Sequence, residues 1–152
     1  MPTIRRAGIE DLEQVVALRV AFLREMHPEA LGPDAELLDL TRKYVADKLP
    51  TGEFFVWFAQ EDGRIVGTGG LVFWHRPPTF SYRSDLHAYI LNMYTLPEWR
   101  GNGVGTMLLQ HIIDYVKTTP ASRVSLQASA MGRPLYERFG FAASSGAMTL
   151  TL

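Results

Sequence analysis

The chain has 152 residues, 47% of them apolar and 20% charged, a formal net charge of −1 and no cysteine. That length predicts a single domain over residues 1–152, large enough to bury a substantial core. The near-neutral balance gives no support to nucleic-acid or membrane-surface binding, and the lack of cysteine removes disulfides, thiolate metal sites and a cysteine nucleophile together. The first residues, Met1-Pro2-Thr3-Ile4-Arg5-Arg6, lack the apolar core of a signal peptide, and no run approaches membrane-spanning length. A cytoplasmic location is the expectation, with no membrane partner.

Thr3-Ile4-Arg5 predicts a short strand. Glu10-Asp11 open a helix whose apolar positions are Leu12, Val15, Val16, Leu18, Phe22 and Leu23, ending near His27-Pro28. Gly32-Pro33-Asp34 punctuates, and a second helix runs through Leu37, Leu38, Tyr44 and Val45 to Leu49-Pro50. Phe54 to Ala59 predicts a strand, Glu61-Asp62-Gly63 a hairpin turn, and Ile65 to Trp74 the return strand. Gly67, Gly69 and Gly70 in that return strand leave room for another backbone to approach closely. A polar loop over residues 75–86 follows, then an apolar run, Tyr89 to Leu96, closed by Pro97. Met107, Leu108, Leu109, Ile112, Ile113 and Val116 predict an amphipathic helix, Arg123 to Ala128 a strand, and Gly132 to Phe139 a short helix stopped by Gly140. Phe141 to Leu152 alternates loosely and predicts a last strand. The order β-α-α-β-β-β-α-β-α-β implies an α/β (α+β) fold, a mixed sheet with helices on both faces.

Between the apolar run and the amphipathic helix lies Arg100-Gly101-Asn102-Gly103-Val104-Gly105-Thr106. A glycine-rich turn opening a helix presents free backbone N–H groups at the positive end of the helix dipole, a site suited to phosphate. A P-loop would need a lysine after the last glycine, and Thr106-Met107 supplies none. A dinucleotide fold would need an acid about 20 positions on, and Arg123-Val124-Ser125-Leu126-Gln127-Ala128 has none. From the turn alone, a phosphate cradle and a turn that only eases strand-to-helix packing both stand.

Arg100-x-x-Gly103-x-Gly105, after strand-x-Pro and before an amphipathic helix, resembles the acetyl-CoA signature of the GCN5-related N-acetyltransferase (GNAT) superfamily. Leu135-Tyr136-Glu137-Arg138-Phe139-Gly140-Phe141 resembles its closing motif, and the element order agrees over essentially the whole chain. The resemblance implies a central, largely antiparallel twisted sheet splayed at the cofactor strand. It implies that backbone groups of Met93, Tyr94 and Thr95, freed by a bulge, bond the pantetheine arm and thioester of acetyl-CoA. It implies that the pyrophosphate lies on the amides of Gly101, Asn102, Gly103, Val104, Gly105 and Thr106, with Arg100 adding charge or only folding the loop. Ser129 takes the place of a cofactor-contacting asparagine, and Tyr136 matches the general acid that protonates the departing thiolate. No metal is expected.

Relatives often carry a glutamate base on the strand before the signature or on the one after it, and neither strand has an acid here. His87 is the candidate base, directly or through water, with Tyr89 on the same strand face. Glu25, His27 and Asp85 are further candidates. In the loop from Trp74 to Arg83, Arg76 and Arg83 could receive a carboxylate or phosphate on the acceptor. The expected activity is transfer of an acetyl group to a primary amine of a small molecule or peptide by direct attack. The competing reading is a CoA-binding module with little turnover. The resemblance leaves a homodimer open.

Overall fold

The computed structural model describes residues 1–152 apart from Pro33 and Ser145. In chain order it forms β1 (Thr3–Arg6), α1 (Leu12–Met26), α2 (Asp34–Lys48), β2 (Phe54–Glu61), β3 (Arg64–His75), β4 (Leu86–Thr95), α3 (Val104–Lys117), β5 (Arg123–Ser125) and α4 (Arg133–Arg138). Short 3-10 turns occupy Ile9–Asp11, Leu49–Thr51 and Pro97–Trp99. The punctuation expected at Pro33 lies outside the described residues. Among the described residues no helix is long and apolar enough to cross a membrane.

The five strands lie in sequence order in one sheet, antiparallel from β1 to β4 and parallel between β4 and β5. The unbroken apolar run of β2 explains its interior position, since successive side chains point to opposite faces and both faces are covered. Phe54, Val56 and Phe58 pack with Val15, Val16 and Val45 of α1 and α2. Phe55, Trp57 and Ala59 pack with Leu108, Leu109, Ile112 and Val116 of α3.

Two features of the sheet position the site. First, Gly70 pairs with Leu91 and Thr68 with Tyr94, so Asn92 and Met93 together oppose Gly69 in a bulge, with Asn92 at φ +57°. Second, the β4–β5 ladder lasts only from His87↔Arg123 to Tyr89↔Ser125. Beyond Tyr89, β4 runs on to Thr95 with no partner strand on that side among the described residues, which is the expected splay.

The last strand expected over Phe141–Leu152 is absent among the described residues, and Met148, Leu150 and Leu152 are exposed. The physical reason is the partner. The sheet ends at a three-residue β5, which stops at Ser125 rather than Ala128 and offers little edge for another strand to pair with.

Gly67 and Gly69 of β3 let α3 sit directly on the sheet. A Cβ at Gly67 would come 2.8 Å from Val104 Cγ1 and 3.2 Å from the Tyr94 carbonyl oxygen. Gly67→Ala is expected to lower stability by about 1–3 kcal/mol through overpacking against a stiff valine and a backbone oxygen. An unchanged urea midpoint would show that α3 retreats without cost.

Candidate active site

The site begins where β4 hands over to α3. Gly101 and Gly103 both sit at φ +79°, a left-handed conformation that costs an L side chain strain, so glycine is required to fold the turn this tightly. Asn102 Nδ2 donates to the carbonyls of Trp99 and Arg100, each at 3.2 Å, bracing the turn from within. The first helical bond runs from the Met107 N–H to the Gly103 oxygen at 3.0 Å. Among the described residues, no group accepts from the amides of Gly101 through Thr106, and no side chain caps the helix. These are the free donors at the positive end of α3.

The turn opens onto a cleft of about 600 Å³ between α1, the free end of β4, α3 and α4. Met93, Tyr94, Thr95, Arg100, Gly101, Gly103, Val104, Gly105, Thr106, Ser129 and Tyr136 all line it, whereas Asn102 does not. Gly105 owes its identity to space rather than to conformation, because a Cβ there would meet Leu135 Cδ2 at 3.3 Å.

Of the two uses expected of Arg100, the contacts favour folding the loop. Its Nε donates to the Thr95 carbonyl at 3.0 Å, and its Nη2 lies 2.8 and 2.9 Å from the two carboxylate oxygens of Glu25. The guanidinium also lies 5.5 Å from the centroid of the Tyr94 ring. It ties the end of β4 to α1, and its charge is met by Glu25 rather than held free for a phosphate. Burial, then the nearby Glu25 carboxylate, pushes the Tyr94 phenol up.

On the opposite wall, Ser129 Oγ accepts from the Gly132 N–H at 3.0 Å and so shapes the turn into α4. Tyr136, one turn along, is only 8% exposed and packs edge-on against Phe141 at 6.0 Å. Burial raises its pKa above the ordinary phenol value, so the ring keeps its proton at neutral pH.

His87, expected as the base, lies outside the cleft lining. It sits on the closed part of the β4–β5 ladder, opposite Arg123, before the strands separate. Tyr82 packs edge-on against its ring at 5.9 Å, and Arg123 lies over Tyr82. The imidazole is 4% exposed and its Nε2 has no partner among the described residues. Tyr89, two residues along, does line the cleft and packs at a tilt against Trp74, ring centroids 5.1 Å apart. Glu25 and His27 line it too, Glu25 paired with Arg100 and His27 lying 3.5 Å from Glu29. Asp85 is instead paired with His75 at 2.9 Å, outside the lining. Arg76 and Arg83 are also outside it, and Arg83 rests over Phe80.

Sequence reasoning missed Arg19, Asn92 and Gln127, all of which line the cleft. Arg19 had a readable signal, because it falls on the apolar stripe of α1 at i+3 from Val16 and i+4 from Val15.

A splayed mixed sheet with a glycine turn at its opening is shared with known proteins. The profile of the acetyltransferase (GNAT) family matches residues 13–141. A predicted acetyltransferase from Clostridium acetobutylicum, whose crystal structure is with acetyl-CoA, superposes with a TM-score of 0.87 at 30% identity, covering 99% of this chain and 96% of that one. A GCN5-related N-acetyltransferase from Ralstonia eutropha JMP134 superposes with a TM-score of 0.86 at 30% identity, covering 99% of both. Glucosamine 6-phosphate N-acetyltransferase of Trypanosoma brucei brucei is 30% identical over 97 residues, 64% of this chain and 64% of that protein's own length. The chain belongs to the acetyltransferase (GNAT) family.

Proposed function

We propose that this chain is a single N-acetyltransferase domain over residues 1–152 that moves the acetyl group of acetyl-CoA to a primary amine by direct attack, with Tyr136 as general acid. One observation carries the reading. The unengaged amides of the glycine turn, the unpartnered end of β4 and the Tyr136 phenol line the same cleft of about 600 Å³. Those donors fit acetyl-CoA, since a pyrophosphate on the amides from Gly103 to Thr106 meets the positive end of α3 without competing for an internal bond. The named relative crystallised with acetyl-CoA supports that assignment.

Acetyl-CoA supplies an activated thioester, and the residues of the chain do the rest. Backbone groups of Met93, Tyr94 and Thr95, freed by the bulge and the splay, hold the pantetheine arm along β4 and polarise the thioester oxygen. Tyr136, protonated at neutral pH, gives its proton to the departing sulfur. The acceptor amine enters from the α1 side, where Phe22 and Tyr89 both line the cleft. The Trypanosoma relative, named for a small phosphorylated amino sugar, supports a small-molecule acceptor.

The test is release of free CoA thiol from acetyl-CoA over a panel of primary amines, run beside calorimetric binding of acetyl-CoA. Amine-dependent release supports the enzyme. Tight binding with no release from any amine would support a CoA-binding module instead.

A further inference from the structure

Arg19 stands where a helix of this kind ordinarily carries an apolar residue. Leu12, Val15 and Val16 mark the side of α1 that faces the sheet, and position 19 follows them at helical spacing. The guanidinium is accordingly part of the cleft wall and largely removed from water, enough to depress its pKa below the usual arginine value.

Its protein partner is a neutral one, for Nη1 donates to Oδ1 of Asn92. Among the described residues no carboxylate lies within 4.0 Å of it. The other arginines of these two helices contrast with it, because Arg24 is bonded to Asp34 and Arg42 lies 2.8 Å from Glu13. Arg100, across the same cleft, is met by Glu25. A desolvated guanidinium without a counter-charge is unfavourable, and the cost is recovered when an anion occupies its remaining N–H donors.

The location narrows the anion. Asn92 is the bulge residue at φ +57°, itself 4% exposed, three residues past the last β4–β5 rung at Tyr89 and within the part of β4 that lines the cleft. An anion bonded to Arg19 would therefore sit beside the strand segment that presents the thioester, on the α1 side and against Phe22 and Tyr89. A pyrophosphate held at the α3 N-terminus has its own donors and does not need this one.

We propose that Arg19 receives an anionic group, a carboxylate or a phosphate, carried by the amine acceptor, an inference that rests on the acetyl-transfer reading. The planar fork of arginine suits bidentate binding of either group, and Asn92 holds the fork in place from behind. The acceptor class is thus an amine with an acid group on the same small molecule.

The experiment uses the full chain and two matched pairs of amines, phenylalanine against phenylalaninamide and glucosamine 6-phosphate against glucosamine. Initial rates of thiol release should give the charged member of one pair a kcat/KM about tenfold or more above its neutral partner, and the pair that responds identifies carboxylate or phosphate. Arg19→Gln should collapse that ratio through the KM of the acceptor, while Arg19→Lys should keep part of it. In the CoA-loaded protein, the 15N signal of the Arg19 Nε should shift on titration with the charged member and stay in place with the neutral one. A ratio near one in both pairs, an equal loss on both members in Arg19→Gln, or an unmoved Arg19 signal would each overturn the proposal. Thiol release without charge preference defeats this inference and leaves acetyl transfer standing. A shifted Arg19 signal with no thiol release from any amine does the opposite.

Discussion

Replacing Tyr136 by phenylalanine is expected to lower kcat for amine-dependent thiol release by about a hundredfold, within the range a positioned acid contributes. The KM for acetyl-CoA should change little, because the proposed pyrophosphate and pantetheine contacts are on α3 and β4. Phenylalanine keeps the edge-on contact with Phe141 and fills the same buried space, and the phenol oxygen has no hydrogen-bond partner among the described residues. Melting temperature should therefore hold, so that a lost rate cannot be assigned to a lost fold. The pH dependence carries a second sign. Burial raises the phenol pKa, so the acid form persists through neutrality and beyond about pH 10, the ordinary value for a tyrosine. The wild-type rate should climb with pH as the acceptor amine loses its proton and should show no decline below that value. Undiminished turnover in Tyr136→Phe would remove the tyrosine from the chemistry.

Gly103→Val is expected to weaken acetyl-CoA binding by at least about a hundredfold, read by calorimetry. A β-branched residue at φ +79° is strained, and the relief of that strain turns the amides of Val104, Gly105 and Thr106 away from their common focus. Charge-assisted bonds to backbone N–H groups are worth about 1.5–3 kcal/mol each, so losing two of them accounts for the effect. Gly105→Ala makes the informative contrast. Its Cβ would press on the end of the Leu135 side chain rather than strain the turn, and the weakening should be only about twofold to fivefold. Equal affinity in wild type and Gly103→Val would defeat the pyrophosphate assignment, and equal losses in the two variants would locate the effect in α4 packing instead.

Much of this site is legible in one dimension because its parts are local. The left-handed glycines, the helix that follows them and the Tyr136 motif each occupy a few consecutive residues, and their geometry follows from backbone sterics and helical period. The partners of charged side chains are different. Arg100 and Glu25 are 75 positions apart, as are the elements that bring them together, and nothing in the Arg100-x-x-Gly spacing reveals that the charge is already met. His87 differs in that the strand pattern places it on one face with Tyr89, yet Tyr82, from the loop just before β4, packs against its ring.

The amino-acid sequence by itself determined the helices, the β2–β3 hairpin and the glycine turn that opens α3, because periodicity and φ are properties of neighbouring residues. Tertiary structure alone decided where β4 parts from β5, that the tail after Phe141 finds no sheet edge, and that Arg19 stands in the cleft wall with no carboxylate beside it among the described residues, while Arg100 is met by Glu25 and Arg76 and Arg83 lie outside the lining. Each of those depends on which distant group arrives within a few ångströms, and strand pairing and charge neutralisation act only at that range.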